Sequence, residues 1–421
     1  MQRYESYKPS GIQWVERIPS HWGAERAKWL FNRMERPVRP DDDVVTAFRD
    51  GQVTLRTNRR TEGFTNAIQE HGYQGIRKGD LVIHAMDAFA GAIGVSDSDG
   101  KWTPVYAACV PRGEYPVNNY SYAYLLRYMA HSGYIESLSK GIRERSTDFR
   151  FAEFRELPLP IPDKDEQDRI VAFLDQKTAE IDVAIAKKER LIELLGEQKE
   201  GLISRAVLLG LNEKAELRKS SIKWLKNIPN GWEELPCRYL FREVTRRDRD
   251  GSEQKLSVTQ RNGLVPTDQM AEHSTQAQSF DEFKLCHVGD LVLNKYKAHL
   301  GVFWAAKVRG IITNNYTVFR PTKKAFPPYF ELLFHTKWMC DQFASVVYGI
   351  VDGMMPLYTK DFYSVQTLCP PLHEQHEIVT YCDEVTKKID SAIAQEERAI
   401  QLLRELKTTL VASYVTGKAK V

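Results

Sequence analysis

Few residues in this sequence are spaced as a catalytic site requires. It contains no GxxxxGK[ST] phosphate loop and no HExxH metal motif. Pro162-Asp163-Lys164 and Glu282-Phe283-Lys284 combine carboxylates with a lysine, as some nuclease sites do, but fragments this short are common by chance. His84, His287 and His299 are not at the spacing of metal ligands. We therefore expect no catalytic residue, no metal and no cofactor.

Phe326-Pro327-Pro328-Tyr329 is similar to a loop of enzymes that methylate the amino groups of bases. In those enzymes a polar residue binds the amino group of the extruded base, which Phe326 cannot do. The glycine loop of a methyl-donor site is also missing. The segment is better interpreted as a turn that begins a helix.

Clustered basic and amide side chains are the remaining candidates, and their chemistry is DNA binding. Arginine pairs with guanine and asparagine with adenine in the major groove, whereas lysine and the other arginines more often bind phosphates. A solvated surface is the competing interpretation, and a net charge of +3 does not decide between the two. The candidates in the first half are Arg56, Arg59, Arg60, Arg143, Arg145 and Ser146. The candidates in the second half are Arg246, Arg247, Lys295, Lys297, Asn314, Asn315 and Tyr316.

The elements that position these side chains follow from an internal repeat. A Trp-(x)3-Ile-Pro-(x)2-Trp motif that begins at Trp14 recurs from Trp224, an offset of 210 residues. The same offset relates Gly79-Asp80-Leu81-Val82 to Gly289-Asp290-Leu291-Val292. The glycine and aspartate of these two motifs are typical turn formers. A nearly constant offset over most of the chain indicates two related halves.

Each half begins with a mixed segment, residues 1–162 and residues 212–371. Short β-like runs such as Leu81–Ile83 and Leu291–Leu293 alternate with glycine and proline turns, and Tyr120–Ala130 has a helical pattern. These features predict two similar mixed α/β domains, which a chain of 421 residues is long enough to form.

Each mixed segment is followed by a segment without proline, residues 163–211 and residues 372–421. Apolar residues recur there at close to a 3.5-residue period, which is typical of a coiled-coil helix. We expect an α+β protein in which two long helices pair in antiparallel fashion and a pseudo-twofold axis relates the halves. The predicted seam residues are Ile170, Leu174, Ile181, Ala184, Leu191, Leu195 and Leu202, then Ile378, Cys382, Val385, Ile389, Ala392, Ala399, Leu403, Leu406 and Leu410.

The composition is that of a soluble globular protein, with 42% hydrophobic and 27% charged residues. No apolar run reaches the roughly 18 residues of a membrane-spanning helix, and the start of the chain has no apolar signal segment. The six cysteines form no CxxC pair, as expected of reduced thiols. We expect a cytoplasmic protein without membrane contact.

The junctions between the mixed segments and the long helices complete a resemblance. Leu157-Pro158-Leu159-Pro160-Ile161-Pro162 leads to Glu166-Gln167, and Cys369-Pro370-Pro371 leads to Glu374-Gln375 at an offset of 208. With the tryptophan motifs, the Gly-Asp-Leu-Val runs and the alternation of domains and helices, the whole chain resembles the specificity (S) subunits of type I restriction-modification systems.

The resemblance implies two target-recognition domains and two helices that act as a molecular ruler. It implies that the helices dock methyltransferase (M) subunits, that an endonuclease-translocase (R) subunit completes the restricting complex, and that this chain is not an enzyme. The target would be double-stranded DNA, asymmetric and bipartite, with one half-site for each domain. Phe173, Ile192 and Ile203 lie off the predicted seam and are our candidates for docking M.

A coiled-coil adaptor that joins proteins without binding DNA is the main alternative. It explains the long helices but not two domains with basic clusters. A self-contained modifying enzyme is a third interpretation, and it would need the methyl-donor or metal site that the sequence lacks.

Overall fold

The computed structural model describes residues 2–59, 70–138, 149–223, 225–247, 253–260, 262–269, 283–347 and 356–421. The chain divides into two compact units. Unit 1 comprises Met1–Glu189 and Glu397–Val421, and unit 2 comprises Arg190–Glu396. Each unit therefore contains one mixed segment and a part of both proline-free segments.

In unit 1, the described strands and short helices are followed by the first half of a long helix. The strands are β1 (Tyr7–Ile12), β2 (Val15–Pro19), β3 (Gly23–Arg26), β4 (Phe31–Arg33), β5 (Val45–Ala47), β6 (Val53–Leu55), β7 (Gln74–Ile76), β8 (Leu81–His84), β9 (Ile93–Val95), β10 (Gly100–Trp102), β11 (Tyr106–Pro111) and β12 (Pro158–Ile161). The helices are α1 (Ala27–Leu30), α2 (Asn119–His131), α3 (Tyr134–Leu138), α4 (Phe151–Phe154) and α5 (Lys164–Leu209), which continues into unit 2.

The described elements of unit 2 follow in a similar order. The strands are β13 (Leu217–Lys219), β14 (Asn227–Pro229), β15 (Glu233–Pro236), β16 (Phe241–Glu243), β17 (Leu256–Val258), β18 (Leu264–Pro266), β19 (Lys284–Cys286), β20 (Leu291–Asn294), β21 (Phe303–Ala305), β22 (Gly310–Ile312), β23 (Tyr316–Pro321) and β24 (Gln366–Cys369). The helices are α6 (Pro327–Phe334), α7 (Lys337–Val346), α8 (Thr359–Ser364) and α9 (Leu372–Val415), which continues into unit 1.

Each unit has a four-stranded antiparallel sheet at its centre. The strand order is β4-β11-β8-β9 in unit 1 and β16-β23-β20-β21 in unit 2. Two-stranded pairs surround each sheet: β1-β2, β3-β12, β5-β6 and β7-β10 in unit 1, and β13-β14, β15-β24, β17-β18 and β19-β22 in unit 2. The mixture of helices and strands that the sequence predicts is therefore present in both units.

The Gly-Asp-Leu-Val strands are buried on both faces. On β8, Leu81 and Ile83 join the large core that contains α2, whereas Val82 joins a smaller cluster with residues of β5, β6 and β7. Leu291 and Val292 of β20 divide between two clusters in the same way. Successive strand residues point to opposite faces, so a run of apolar residues suits a strand that is covered twice.

In each unit a tryptophan of the mixed segment donates a hydrogen bond to a glutamate at the start of the long helix. In unit 1, Trp22 Nε1 donates to Glu166 Oε2 at 2.8 Å. In unit 2, Trp232 Nε1 donates to Glu374 Oε2 at 2.9 Å. The capping interaction expected at Asp163 is present, since its Oδ1 accepts from the Glu166 N–H at 2.8 Å.

Within each unit, α5 and α9 run in opposite directions. In unit 1, Lys407 binds Asp182 at 2.6 Å and Arg404 binds Glu189 at 3.1 Å. In unit 2, Lys199 binds Asp390 at 2.7 Å. Later residues of α5 thus meet earlier residues of α9. No helix among the described residues is both long and apolar enough to cross a membrane.

Candidate nucleic-acid interface

Arg246, one of the predicted DNA ligands, forms a buried ion pair. Its two terminal nitrogens lie 2.8 and 3.0 Å from the two carboxylate oxygens of Asp290. Asp290 also accepts from the His287 N–H at 2.7 Å, which closes the turn before β20. In unit 1, Arg36 forms the same bidentate ion pair with both carboxylate oxygens of Asp80. The aspartate of the Gly-Asp-Leu-Val motif therefore closes the turn and also forms an ion pair with an arginine. In unit 2 that arginine is Arg246, which thus has a structural partner.

The arginines predicted near β6 also have partners inside unit 1. Arg59 binds Asp50 at 2.7 Å, and its guanidinium lies 4.2 Å from the centre of the Phe48 ring. Arg56 begins the short 3-10 helix Arg56–Asn58, and its Nε lies 3.4 Å from Thr46 Oγ1. These contacts orient both arginines, while the candidates Arg60, Arg143, Arg145 and Ser146 lie outside the described residues.

Several of the predicted ligands in unit 2 come together where β20 ends and β23 begins. The strands are in register there, with Asn294 opposite Tyr316. Lys284 Nζ donates to the Tyr316 carbonyl at 3.0 Å. Asn314 and Asn315 form the turn that the Tyr316 N–H closes on the Thr313 carbonyl at 3.1 Å. We define corner 2 as Arg247, Lys284, Lys295, Asn315 and Tyr316.

The charge of corner 2 is positive and concentrated. Burial lowers the pKa of Lys284, Glu243 opposes this effect, and the neighbouring positive charges of Lys295 and Arg247 lower the pKa further. Neighbouring positive charges repel one another, so an anion bound between them would be stabilised by electrostatic attraction. Lys297 lies exposed on the 3-10 helix Lys295–Leu300 that leaves this corner.

Tyr316 contributes mainly through its backbone. Burial raises the pKa of its hydroxyl, which hydrogen bonds with the backbone of Val258 and with Ser257. Tyr106 occupies the matching position in unit 1; burial raises the pKa of its hydroxyl to about 12, against a hydrogen bond with the Ala47 backbone and the charge of Arg56. Both tyrosines thus fasten the sheet to a neighbouring hairpin.

The matching corner of unit 1 contains a cavity of about 480 Å³. It lies where β8 ends and β11 begins, with His84 opposite Tyr106. We define corner 1 as the cavity and its lining residues. These residues are Arg33, Ile83, Ala85, Met86, Pro104, Val105, Tyr106, Ala107, Phe149, Arg150 and Phe151.

One backbone hydrogen bond recurs at both corners. The Phe149 N–H donates to the Ala85 carbonyl at 3.0 Å, and the Leu357 N–H donates to the Lys295 carbonyl at 2.9 Å. Each bond fixes the residue that follows the central strand to the segment that precedes α4 or α8. The two units therefore share a corner scaffold but carry different side chains on it.

Sequence reasoning missed Lys284, Arg33 and Arg150. Lys284 stood in a fragment that was set aside as a chance likeness to a nuclease. Arg33 follows the Leu30-Phe31 pair, which repeats at the offset of 210, yet its counterpart is Glu243. The repeat therefore marks the scaffold, and no pattern in a single sequence marks the residues placed on it.

His21, Asp163 and Glu166 are the described group whose ligand atoms lie within 4.8 Å of one another. Hydrogen bonds account for these atoms. Glu166 accepts from Tyr4 and Trp22 and lies 2.9 Å from His21 Nε2, while Asp163 caps the helix. The group is better explained as the junction of unit 1 with α5 than as a metal site.

The residues predicted to dock M are less exposed than we expected. The Phe173 ring packs 4.6 Å from the Tyr414 ring within unit 1, and Ile203 packs against the core of unit 2. Ile192 is half-buried. Conversely, Leu191 of the predicted seam is 41% exposed. The predicted seam is therefore wrong at Leu191, and also at Leu406, which is 45% exposed.

Known proteins similar to this chain belong to one functional class. No protein-family profile matches the chain. A provisionally named type I restriction enzyme specificity subunit of Haemophilus influenzae is 21% identical over 398 residues, which are 90% of this chain and 96% of that protein. The specificity subunit of the type I restriction enzyme EcoKI of Escherichia coli is 24% identical over 63% of this chain and 60% of its own length.

Solved structures share the fold. A chain from a structure that describes complex assembly and conformational transition of the type I R-M system has a TM-score of 0.64 at 14% identity, covering 94% of this chain and 98% of its own. The HsdS subunit of Thermoanaerobacter tengcongensis has a TM-score of 0.55 at 15% identity, covering 95% of this chain and 98% of its own. The resemblance predicted from the repeated motifs is confirmed.

Proposed function

We propose that this chain is the DNA-recognition subunit of a type I restriction-modification complex and catalyses no reaction itself. Unit 1 and unit 2 each read one half of an asymmetric, bipartite target in double-stranded DNA. The observation that carries the proposal is the shared corner scaffold, on which the two units place unlike side chains. Two related recognition domains with different surface residues suit a target whose two halves differ in sequence.

The proposed division of the chain follows its repeat. Residues 1–162 and 212–371 are target-recognition domains, while residues 163–211 and 372–421 are spacer helices that form an antiparallel coiled coil about a pseudo-twofold axis. The ion pairs between α5 and α9 within each unit support this pairing. The outer faces of the helices dock M subunits, and an R subunit joins the assembled complex.

We further propose that corner 2 binds the half-site of unit 2. Arg247 and Lys295 bind phosphates, because they add positive charge around the half-buried Lys284. Asn315 is exposed on a turn and has the side chain that pairs with adenine in the major groove. The candidates Lys297 and Asn314 flank this surface, and Arg56, Arg60, Arg143, Arg145 and Ser146 stay candidates for unit 1.

A gel-shift experiment with random duplex DNA tests the general proposal. The full chain is assayed with its M partner, and methylation of the bound DNA is then mapped by single-molecule sequencing. We expect binding, and methylation at one bipartite motif. An assembly with M that never retains DNA would favour the adaptor function instead.

The dependence of binding on salt tests corner 2. Each phosphate contact contributes about 0.9 to the slope of log K against log salt concentration. Arg247→Ala and Lys295→Ala should each reduce that slope by about one. Lys226→Ala removes the same charge from an exposed position just before β14 and should leave the slope unchanged. Equal slopes for all three variants would remove corner 2 from the interface.

A further inference from the structure

The cavity of corner 1 has the size and walls of a ligand site. Its volume of about 480 Å³ falls within the roughly 300–1,000 Å³ that small-molecule sites occupy. Met86, Pro104, Val105 and Phe151 give it apolar walls. Walls of this kind can contact the faces of a flat ring.

Two arginines line the cavity. They are Arg33 and Arg150, and the described lining residues include no aspartate or glutamate. The Arg33 guanidinium lies 5.9 Å from the centre of the Phe151 ring, so a positive charge is adjacent to an aromatic ring in the cavity wall. Burial lowers the pKa of His84, which disfavours a charge on its ring, while the neighbouring Asp87 raises it.

We propose that this cavity accepts one nucleotide of the target DNA, turned out of the duplex. Its base lies against Phe151 and Met86, and its phosphate contacts Arg33 and Arg150. A paired base presents only its edge in a groove and cannot enter a concave site, whereas an extruded base can stack between aromatic and apolar walls. This inference rests on the proposed function, and it concerns the half-site of unit 1.

Corner 2 differs in the residues that would form such a site. At the offset of 210, Lys295 and Tyr296 replace Ala85 and Met86. Longer and charged side chains there favour phosphate contact at the surface of an intact duplex. The two half-sites are therefore bound in different ways, one with a nucleotide in the cavity of this chain and one without.

Fluorescence of 2-aminopurine, which increases when the base leaves the stack, tests the inference. The full chain with its M subunit is bound to target duplexes that carry 2-aminopurine at each position of both half-sites in turn. We expect a several-fold increase at one position of one half-site that is not the methylated base. Val105→Trp fills the cavity mouth and should abolish this increase while preserving any increase at the methylated base.

A matched substitution and a smaller one serve as controls. Val308→Trp adds the same bulk in unit 2, where the valine is 37% exposed, as is Val105, and should leave the signal intact. Met86→Ala removes part of the cavity wall without adding volume and should weaken the signal. It tests the inference even if Val105→Trp disturbs folding. An increase confined to the methylated base, or one that persists in Val105→Trp, overturns the inference. Failure of the wild-type complex to bind DNA would instead contradict the proposed function.

Discussion

Arg246 is held by Asp290, although it stands in a run of basic residues that resembles a DNA-binding cluster. The side chains of the pair are 19% and 5% exposed. The same pair occurs as Arg36 and Asp80, and the two arginines are related by the offset of 210. The repeat could therefore have distinguished Arg246 from Arg247, because a residue that returns with its partner belongs to the scaffold.

Removal of one member of this pair should destabilise unit 2. Arg246→Ala leaves the buried Asp290 without its counter-charge, which costs about 3 kcal/mol. Urea unfolding should show this loss, whereas Arg247→Ala should change stability little. The double variant Arg246→Met with Asp290→Leu should recover part of the stability, since it removes both charges. Equal stability of Arg246→Ala and Arg247→Ala would contradict a structural role for the pair.

Glu331 on α6 should give unit 2 a stability that falls as pH rises. Burial raises the pKa of its carboxyl to about 7, against a hydrogen bond from the Ala305 N–H and the charge of Lys307. Because this value exceeds the 4.5 expected for an unfolded chain, its contribution is complete below about pH 4.5 and is lost as pH approaches 7. The loss is on the order of 3 kcal/mol.

Glu331→Gln removes this titration and should flatten the stability profile between pH 5 and pH 7.5. Thermal or urea unfolding across that range measures the effect. The exposed Glu377→Gln on α9 is the control and should keep the wild-type profile. If Glu331→Gln and wild type lose stability in parallel, another group is responsible for the dependence.

The elements most readily predicted from the sequence are those whose residues have one physical role. The apolar runs of β8 and β20, the helical pattern of α2 and the start of α6 at Pro327 all follow from local sequence. The seam of the long helices was harder to predict. Phe173 was expected to be exposed but packs against Tyr414, whereas Leu191 was expected in the seam but is exposed. A 3.5-residue period does not state which face of the helix a globular domain will cover.

A buried glutamine amide also joins each domain to its helix. Gln375 Oε1 accepts from the Phe326 N–H at 2.8 Å, and its Nε2 donates to the carbonyls of Lys324 and Pro370, each at 2.8 Å. Gln167 makes the equivalent bonds with Asn118, Pro116 and Pro162. The glutamine of the Glu-Gln motif thus connects backbone groups of the domain to the start of the long helix in both units.

Gln375→Ala should therefore loosen this junction. It removes one buried and two part-buried hydrogen bonds to backbone groups, at about 1–3 kcal/mol for each group that water does not reach. Hydrogen exchange should increase at the Phe326 amide and around α6, and the unfolding midpoint should decrease. Glu377→Ala on the exposed side of the same helix should do neither. Unchanged exchange at Phe326 in Gln375→Ala would exclude this role.

At the scale of the whole chain, the proposed ruler makes the distance between half-sites a property of helix length. One heptad shortens a helix by about 10 Å, or roughly three base pairs, and preserves the apolar face. Deleting a heptad from the middle of α5 and the paired heptad from α9 should shorten the unread gap by about that amount. Both half-sites should stay the same, because neither corner is altered. Single-molecule methylation mapping of the deletion variant measures gap and half-sites together, and an unchanged gap or altered half-sites would contradict the proposal.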